Sequence, residues 1–277
     1  MRKTIRDIIN IIWYVFIFVF IQFLCWFVIW ITWSFIQGND MESVLANVRG
    51  AILDNEYTII TTHIISSLLI VCLFFLQDWT PFKRTYLQSR PWTTLFWVGL
   101  MVFGTIIPSI WLDEQLGVDL SENAEKMLSQ MMGNPLGYLA VGIMAPLAEE
   151  VVFRGAVLRT LLKMMEDKWH WIAILISALI FGAFHGNMAQ FVHGTLIGLL
   201  IGWMYYRTKS IVPGLVFHFV NNSIAYVMYN LMPNTHEASL VDIFKGSQTN
   251  VYLALAFSLC IFLPALYQLF LRLKEKV

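Results

Sequence analysis

One short run of the sequence places three charged residues inside an otherwise apolar segment. Residues 148–155 read Ala-Glu-Glu-Val-Val-Phe-Arg-Gly and contain Glu149, Glu150 and Arg154. Glu150 and Arg154 are four residues apart and therefore share one face of a helix, whereas Glu149 is rotated about 100° away from Glu150. This spacing predicts a Glu150–Arg154 ion pair and leaves Glu149 as a candidate general base for a water molecule. The structural alternative is a packing ion pair beside a protonated glutamate.

Two further pairs of residues bring imidazole groups into apolar segments. Phe181 and His185 are four residues apart, and so are His218 and Asn222. His218 and Asn222 would lie on one helix face, where two hydrogen-bond donors are suited to stabilising a developing oxyanion. A fourth polar residue, His193, is more typical of a packed or hydrogen-bonded core residue, and we leave it outside the predicted site.

These residues must be positioned by membrane helices, because the composition excludes a soluble globular protein. Hydrophobic residues make up 58% of the 277 residues, charged residues make up 13%, and the mean hydropathy is +0.67. Soluble domains contain about 25% charged residues. The net charge is zero and there is no run of Lys and Arg, so we predict that nucleic acid is not a partner.

The apolar stretches predict an all-α, polytopic transmembrane helical bundle of about eight spans. A helix of roughly 17 to 25 apolar residues crosses a hydrocarbon core of about 30 Å. The predicted spans are 8–36, 59–76, 92–112, 136–162, 169–187, 190–206, 211–231 and 250–271. The first is much longer than the apolar core of a signal peptide, roughly 7 to 15 residues, so we interpret it as a retained anchor.

The distribution of basic residues predicts that both termini are cytoplasmic. With a cytoplasmic N-terminus, 14 of the 18 Lys and Arg residues fall on the cytoplasmic side, which is the side where they are enriched in membrane proteins. They are Arg2, Lys3, Arg6, Lys83, Arg84, Arg90, Arg159, Lys163, Lys168, Arg207, Lys209, Arg272, Lys274 and Lys276. We therefore expect a multi-pass protein of the cell membrane.

The three polar patterns, in order, resemble those of a known family. Glu-Glu-x-x-x-Arg, Phe-x-x-x-His and His-x-x-x-Asn lie on three separate predicted spans, an arrangement similar to the CPBP family, also called the Abi or CAAX-protease family. That family includes type II CAAX prenyl endopeptidases and bacterial proteins linked to bacteriocin processing and self-immunity. The resemblance covers residues 136–231, which we take as the catalytic core, between N-terminal helices in 1–135 and a last loop, span and tail in 232–277.

The resemblance implies a peptidase and a role for each motif residue. It implies that Glu149 and His185 activate a water, that Arg154 supports Glu149 and its neighbour Glu150, and that His218 with Asn222 stabilises the tetrahedral intermediate. The expected substrate is a peptide precursor or a membrane-associated protein. Prenylated CAAX substrates belong to eukaryotic and some archaeal relatives, so a bacterial peptide precursor is the better expectation here.

The sequence leaves the metal dependence open between two mechanisms. One needs no cofactor. In the other, His185, His218 and Glu149 bind Zn²⁺, which activates its bound water. The zincin motif H-E-x-x-H is missing, and asparagine is a poor zinc ligand but a good hydrogen-bond donor, so the metal-free mechanism is favoured.

Two other functions compete with the peptidase. Members of the same family act as non-catalytic bacteriocin-immunity or membrane scaffold proteins, which this sequence would also fit. A proton-coupled transporter would use buried Glu, His and Arg as well, but it predicts an inverted repeat of interrupted helices, which the sequence does not show.

Overall fold

The structure is a computed structural model that describes residues 2–46, 55–81, 84–117, 120, 122–232 and 238–273. Throughout these ranges the regular secondary structure is helical, which confirms the all-α prediction. The helices are α1 Arg2–Ile36, α2 Met41–Ala46, α3 Glu56–Leu76, α4 Thr85–Gln88, α5 Trp92–Leu116, α6 Glu122–Met132, α7 Pro135–Met164, α8 His170–Phe184, α9 Met188–Thr208, α10 Val212–Leu231, α11 Leu240–Ile243 and α12 Gln248–Arg272.

Seven helices in the described part of the chain are long and apolar enough to cross a membrane. They are α1, α3, α5, α7, α9, α12 and α8 with the 3-10 turn that precedes it. The remaining predicted span, 211–231, forms α10, whose 20 residues include His218, Asn221 and Asn222 and are less apolar. The chain is thus a multi-pass membrane protein, as predicted. Among the loop charges behind the predicted orientation, Lys83, Lys274 and Lys276 lie outside the described residues.

The chain divides into two compact units. Unit 1 comprises Met1–Pro81 and Ser121–Thr160. In it, α3 packs against α1, α6 and the length of α7. Ile59 and Ile60 of α3 form an apolar cluster with Met131 of α6 and Ala140 of α7, and between membrane helices such contacts stabilise the fold mainly through van der Waals packing.

Helix α7 alternates between α-helical and π-helical turns. Leu139–Met144 is π-helical, Ala145–Glu149 is α-helical, and Glu150–Leu158 is again π-helical. Pro146 stands just after the first π-helical segment; it has no N–H and its ring crowds the carbonyl four residues earlier. The wider i to i+5 turn accommodates this ring. The residues Glu149 and Glu150 therefore lie where the helix changes its hydrogen-bond pattern.

Unit 2 comprises Phe82–Leu120 and Leu161–Val277. Its two closest helix pairs are α8 with α9 and α5 with α12. Both pairs meet at a glycine. A Cβ at Gly104 of α5 would lie 2.7 Å from the backbone nitrogen of Phe262, and a Cβ at Gly182 of α8 would lie 2.6 Å from the carbonyl oxygen of Phe191. Helix α10 packs against α5 and α9 in the same unit.

Candidate active site

Glu150 and Arg154 form a buried ion pair in unit 1. Arg154 Nη1 lies 3.0 Å from Glu150 Oε1, and the two side chains are 1% and 0% exposed. The pairing predicted from the spacing is therefore confirmed. Val151, Val152 and Phe153, which lie between them in the sequence, are fully buried as well. Each charge depends on the other, because an isolated buried charge costs several kcal/mol.

Glu149 is placed differently from its neighbour. It is half-buried, ends the α-helical turn of α7, and directly precedes the π-helical segment that begins at Glu150. It interacts electrostatically with Arg154 as well. As a residue, Glu149 is less buried than Glu150, although its Oε2 atom is itself buried.

His185 is held in a defined orientation in unit 2. Its Nδ1 lies 3.0 Å from the carbonyl oxygen of Phe181 in the preceding turn of α8. A carbonyl oxygen only accepts hydrogen bonds, so Nδ1 carries the proton and the lone pair of a neutral ring is on Nε2. The ring also lies against Gly194 of α9, where an added Cβ would be 3.6 Å from Cε1 and Nδ1. The Phe-x-x-x-His pattern thus sets both the tautomer and the position of the imidazole.

The link between α8 and α9 explains the residues that follow His185. Gly186 adopts a left-handed conformation with φ of 71°, which glycine tolerates without a steric cost. Asn187 then caps α9 by accepting a hydrogen bond of 2.9 Å from the backbone N–H of Gln190, and it donates to the carbonyl oxygen of His185 at 3.2 Å. The run His-Gly-Asn therefore ends one helix and starts the next within three residues.

His218 lies beside the same phenylalanine. Its ring meets the Phe181 ring edge-on at 5.8 Å between centroids, and the His185 ring meets Phe181 edge-on at 5.1 Å. His218 is buried, with 7% of its surface exposed. Phe181 therefore serves both imidazoles, as a hydrogen-bond acceptor for one and as a packing surface for both.

Asn221 orients the predicted oxyanion donor, a contribution that the sequence did not reveal. Asn221 Nδ2 donates a hydrogen bond of 3.2 Å to Asn222 Oδ1. Asn222 Oδ1 accepts this bond, and the hydrogen-bond donor of the Asn222 side chain is its Nδ2 amide group. The only signal in the sequence was the adjacency of the two asparagines.

His193 belongs to the same group of imidazoles, although we left it out of the predicted site. It interacts electrostatically with both His185 and His218. It directly precedes Gly194, the residue against which the His185 ring packs. Unit 2 thus brings together His185, His193 and His218, while Glu149, Glu150 and Arg154 lie together in unit 1.

The described residues contain no group of three His, Cys, Asp or Glu side chains arranged to hold a metal ion.

Comparisons with known proteins find a matching family model and related membrane proteins. Residues 132–224 match the family model described as Type II CAAX prenyl endopeptidase Rce1-like. The "Putative membrane peptidase YdiL" of Bacillus subtilis is 30% identical over 108 residues, which are 39% of this chain and 43% of that protein. The "Membrane-embedded CAAX protease MroQ" of Staphylococcus aureus is 24% identical over 146 residues, which are 52% of this chain and 59% of that protein.

The matches are partial in extent. The chain spans about half the length of these two relatives, 43% of one and 59% of the other. No solved structure matches the chain. The segment matched by the family model nevertheless contains every predicted site residue, from Glu149 to Asn222.

Proposed function

We propose that this chain, in which residues 132–224 form a core of the CPBP family of CAAX proteases, is an intramembrane endopeptidase. The observation that carries the proposal is that two adjacent glutamates differ in burial. Glu150 is fully buried against Arg154, whereas Glu149 is half-buried. The ion pair with Arg154 engages Glu150, and we assign the role of general base to Glu149, which is less buried as a residue.

In the proposed reaction, Glu149 takes a proton from a water molecule as the water oxygen attacks the carbonyl carbon of the scissile peptide bond. His185 orients that water through the Nε2 lone pair, which the bond from Nδ1 to Phe181 leaves on the outer side of the ring. The negative charge that forms on the carbonyl oxygen accepts hydrogen bonds from His218 and Asn222. When the C–N bond breaks, Glu149 returns its proton to the leaving amine.

The proposed substrate is a peptide precursor or a segment of a membrane-associated protein. A bilayer-embedded site takes chains that already lie in or on the membrane, so the bilayer is itself a partner. We propose a bacterial plasma membrane as the location, in line with the organisms of the two relatives. The prenylated CAAX substrates of the family's eukaryotic members are not part of the proposal.

The reaction is proposed to need no metal. The support is chemical: Asn222 stands four residues after His218 on α10, and asparagine is a good hydrogen-bond donor but a poor zinc ligand. Activity that survives exhaustive treatment with a strong chelator would support this mechanism. Activity that is lost on chelation and restored by Zn²⁺ would replace it with a metallopeptidase.

The experiment that tests the proposed function is cleavage of a fluorogenic peptide library by purified protein, in detergent and in lipid. Wild type is compared with Glu149→Gln and with Glu166→Gln, a matched control at an exposed glutamate that pairs with Lys168. We expect cleavage by wild type and by the control, and a fall of about 100-fold or more for Glu149→Gln. Equal turnover by all three proteins would refute the assignment of Glu149. Absence of cleavage by folded wild type in lipid would favour the non-catalytic immunity or scaffold function.

A further inference from the structure

The turn that follows α3 has the geometry of a Schellman motif. Asp78 adopts a left-handed conformation with φ of 53°, its N–H bonds to the carbonyl oxygen of Phe75 at 3.1 Å, and the N–H of Trp79 bonds to the carbonyl oxygen of Phe74 at 3.0 Å. The Trp79 and Phe74 rings pack edge-on at 5.0 Å, the apolar contact that often accompanies this motif. The turn therefore holds Trp79 and the next residue, Thr80, in a defined position.

Thr80 reaches from this turn to the π-helical segment of α7. Its hydroxyl donates a hydrogen bond of 2.6 Å to the carbonyl oxygen of Val151, and its side chain is 2% exposed. A second bond lies one residue earlier, where Arg159 Nη1 donates to the carbonyl oxygen of Trp79 at 3.0 Å. The turn is thus tied to both ends of the segment Glu150–Leu158.

Gly155 provides the space that Thr80 occupies. A Cβ at position 155 would collide with Thr80 Cγ2 and would lie 2.5 Å from Thr80 Oγ1 and 2.9 Å from Thr80 Cβ. Any residue larger than glycine would displace either Thr80 or the helix, because real Cβ atoms do not approach other atoms this closely. The glycine that follows Arg154 therefore accommodates the Thr80 side chain from the turn that follows α3.

The two contact points flank the ion pair of the candidate site. Val151 directly follows Glu150, and Gly155 directly follows Arg154. A π-helical segment is rare and is maintained by its surroundings, since its i to i+5 hydrogen bonds compete with the α-helical pattern. A bond to a backbone carbonyl within the segment, next to a close-packed glycine, opposes a shift of the segment to the α-helical register. Such a shift would rotate Glu149 relative to Glu150 and Arg154.

We propose that Thr80 is a positioning residue, which holds the π-helical register of α7 and through it the orientation of Glu149. This inference rests on the proposed function, since it concerns the group that would activate water. Thr80 does not touch the reacting atoms in this proposal. Its effect is on the turnover rate, because a catalytic group misplaced by about 1 Å can cost up to 100-fold in rate while substrate contacts elsewhere persist.

The test compares Thr80→Val, which keeps the shape but removes the hydroxyl, with Thr80→Ser, which keeps the hydroxyl. Thr105→Val is the matched control, because Thr105 Oγ1 also donates to a backbone carbonyl, that of Val102 at 2.7 Å, but within α5. We expect Thr80→Val to lower kcat by about 10-fold or more with KM nearly unchanged. Thr80→Ser and Thr105→Val should keep most of the wild-type kcat.

Gly155→Ala probes the same contact from the other side. Its added methyl group collides with Thr80 Cγ2, so we expect kcat to fall. Thr80→Ser removes that Cγ2 methyl, so the double variant should recover part of the rate lost in Gly155→Ala alone. Additive losses in the double variant would argue against a direct Thr80–Gly155 contact and would overturn the proposal.

Amide hydrogen exchange separates failure of this inference from failure of the proposed function. We expect exchange within residues 150–158 to accelerate in Thr80→Val and to stay at the wild-type rate in Thr105→Val, whether or not the protein cleaves peptides. Wild-type exchange and wild-type kcat in Thr80→Val would overturn the positioning role while leaving Glu149 as the proposed base. Faster exchange with an unchanged kcat would likewise overturn it.

Discussion

The adjacent residues Glu149 and Glu150 differ in chemistry because α7 presents them to different surroundings. Glu150 is matched by one guanidinium, so this pair adds no net charge to the interior of unit 1. A charge buried in a membrane protein costs several kcal/mol unless it is paired or hydrated, which is why such residues are rare and functional. The pairing of Glu150 with Arg154 therefore makes it possible for a second carboxylate to stand beside it.

Removal of Arg154 should be more harmful than removal of the whole pair. Arg154→Met leaves Glu150 buried without its cation, and breaking one partner of a buried pair costs about 3 to 5 kcal/mol. The double variant Glu150→Gln, Arg154→Met should recover part of this loss of unfolding free energy. Denaturant titration of the purified proteins in detergent measures both values. A double variant less stable than Arg154→Met alone would contradict this account of the pair.

Tyr86 in α4, between α3 and α5, gives a prediction about alkaline pH. Burial raises the pKa of the Tyr86 hydroxyl to about 12, and within the described part of the chain this hydroxyl has no hydrogen-bond partner. From pH about 10 to 12 the unfolded chain loses this proton while the folded chain keeps it, so stability is constant below pH 10 and falls as the pH rises through this window.

Tyr86→Phe removes both the ionisable group and the buried hydroxyl. The variant should lack this part of the alkaline loss of stability, and at neutral pH it should be more stable by about 1 kcal/mol because no unsatisfied hydroxyl is buried. Thermal unfolding of wild type and variant at neutral and alkaline pH provides the comparison. Parallel stability curves for the two proteins across the alkaline range would show that Tyr86 is not the titrating group.

At the scale of the elements, the α8–α9 pair supports His185 through close helix packing. A Cβ at Gly182 would collide with Thr195 Oγ1 and approach the carbonyl oxygen of Phe191 to 2.6 Å. Gly182→Ala should therefore separate the two helices, lower the unfolding free energy by about 1 to 3 kcal/mol and reduce turnover by moving the His185 ring away from Gly194.

Gly99 is the matched control for this prediction. It lies within α5, and nothing is within 4 Å of a Cβ added there. Gly99→Ala should stabilise the protein by up to about 1 kcal/mol, because alanine favours the helix interior over glycine. Unfolding titrations of both variants test the pair of expectations. Similar effects of the two substitutions would mean that helix propensity, and not the α8–α9 contact, governs Gly182.

At the scale of the whole molecule, the side of the membrane on which the C-terminus lies depends on whether α10 crosses the bilayer. The predicted topology, with both termini cytoplasmic, requires an even number of crossings, and α10 is the helix whose apolarity is lowest among the predicted spans. Its polar residues include His218 and Asn222, which lower its apolarity. We predict that α10 crosses the membrane together with the seven more apolar helices.

Cysteine labelling in intact cells tests this topology. In a background where Cys25, Cys72 and Cys260 are replaced by serine, cysteines are introduced at Asn39, Gln88 and Gln248, which are exposed. An impermeant maleimide should label positions 39 and 248 from outside and position 88 only after the cells are permeabilised. Labelling of position 248 only from inside would show that α10 does not cross and that the C-terminus is external.

The sequence alone was sufficient for the features that depend on local patterns. Hydropathy over about 20 residues identified the membrane helices, because crossing the bilayer requires a continuous apolar stretch. The i to i+4 spacing predicted the Glu150–Arg154 pair, and it placed Phe181 beside His185, because residues four apart lie on one helix face. The order of the three motifs resembles that of the CPBP family, and the segment that carries them matches the family model of type II CAAX prenyl endopeptidases.

Only the tertiary structure decided the features that depend on residues far apart in the chain. The π-helical form of Glu150–Leu158 and the hydrogen bond from Thr80 to Val151, 71 residues away, follow from packing between helices, which no local pattern encodes. The same holds for His193, whose relation to His185 and His218 depends on how α8, α9 and α10 meet. Helical spacing determines which residues share a face, but the folded chain determines what that face meets.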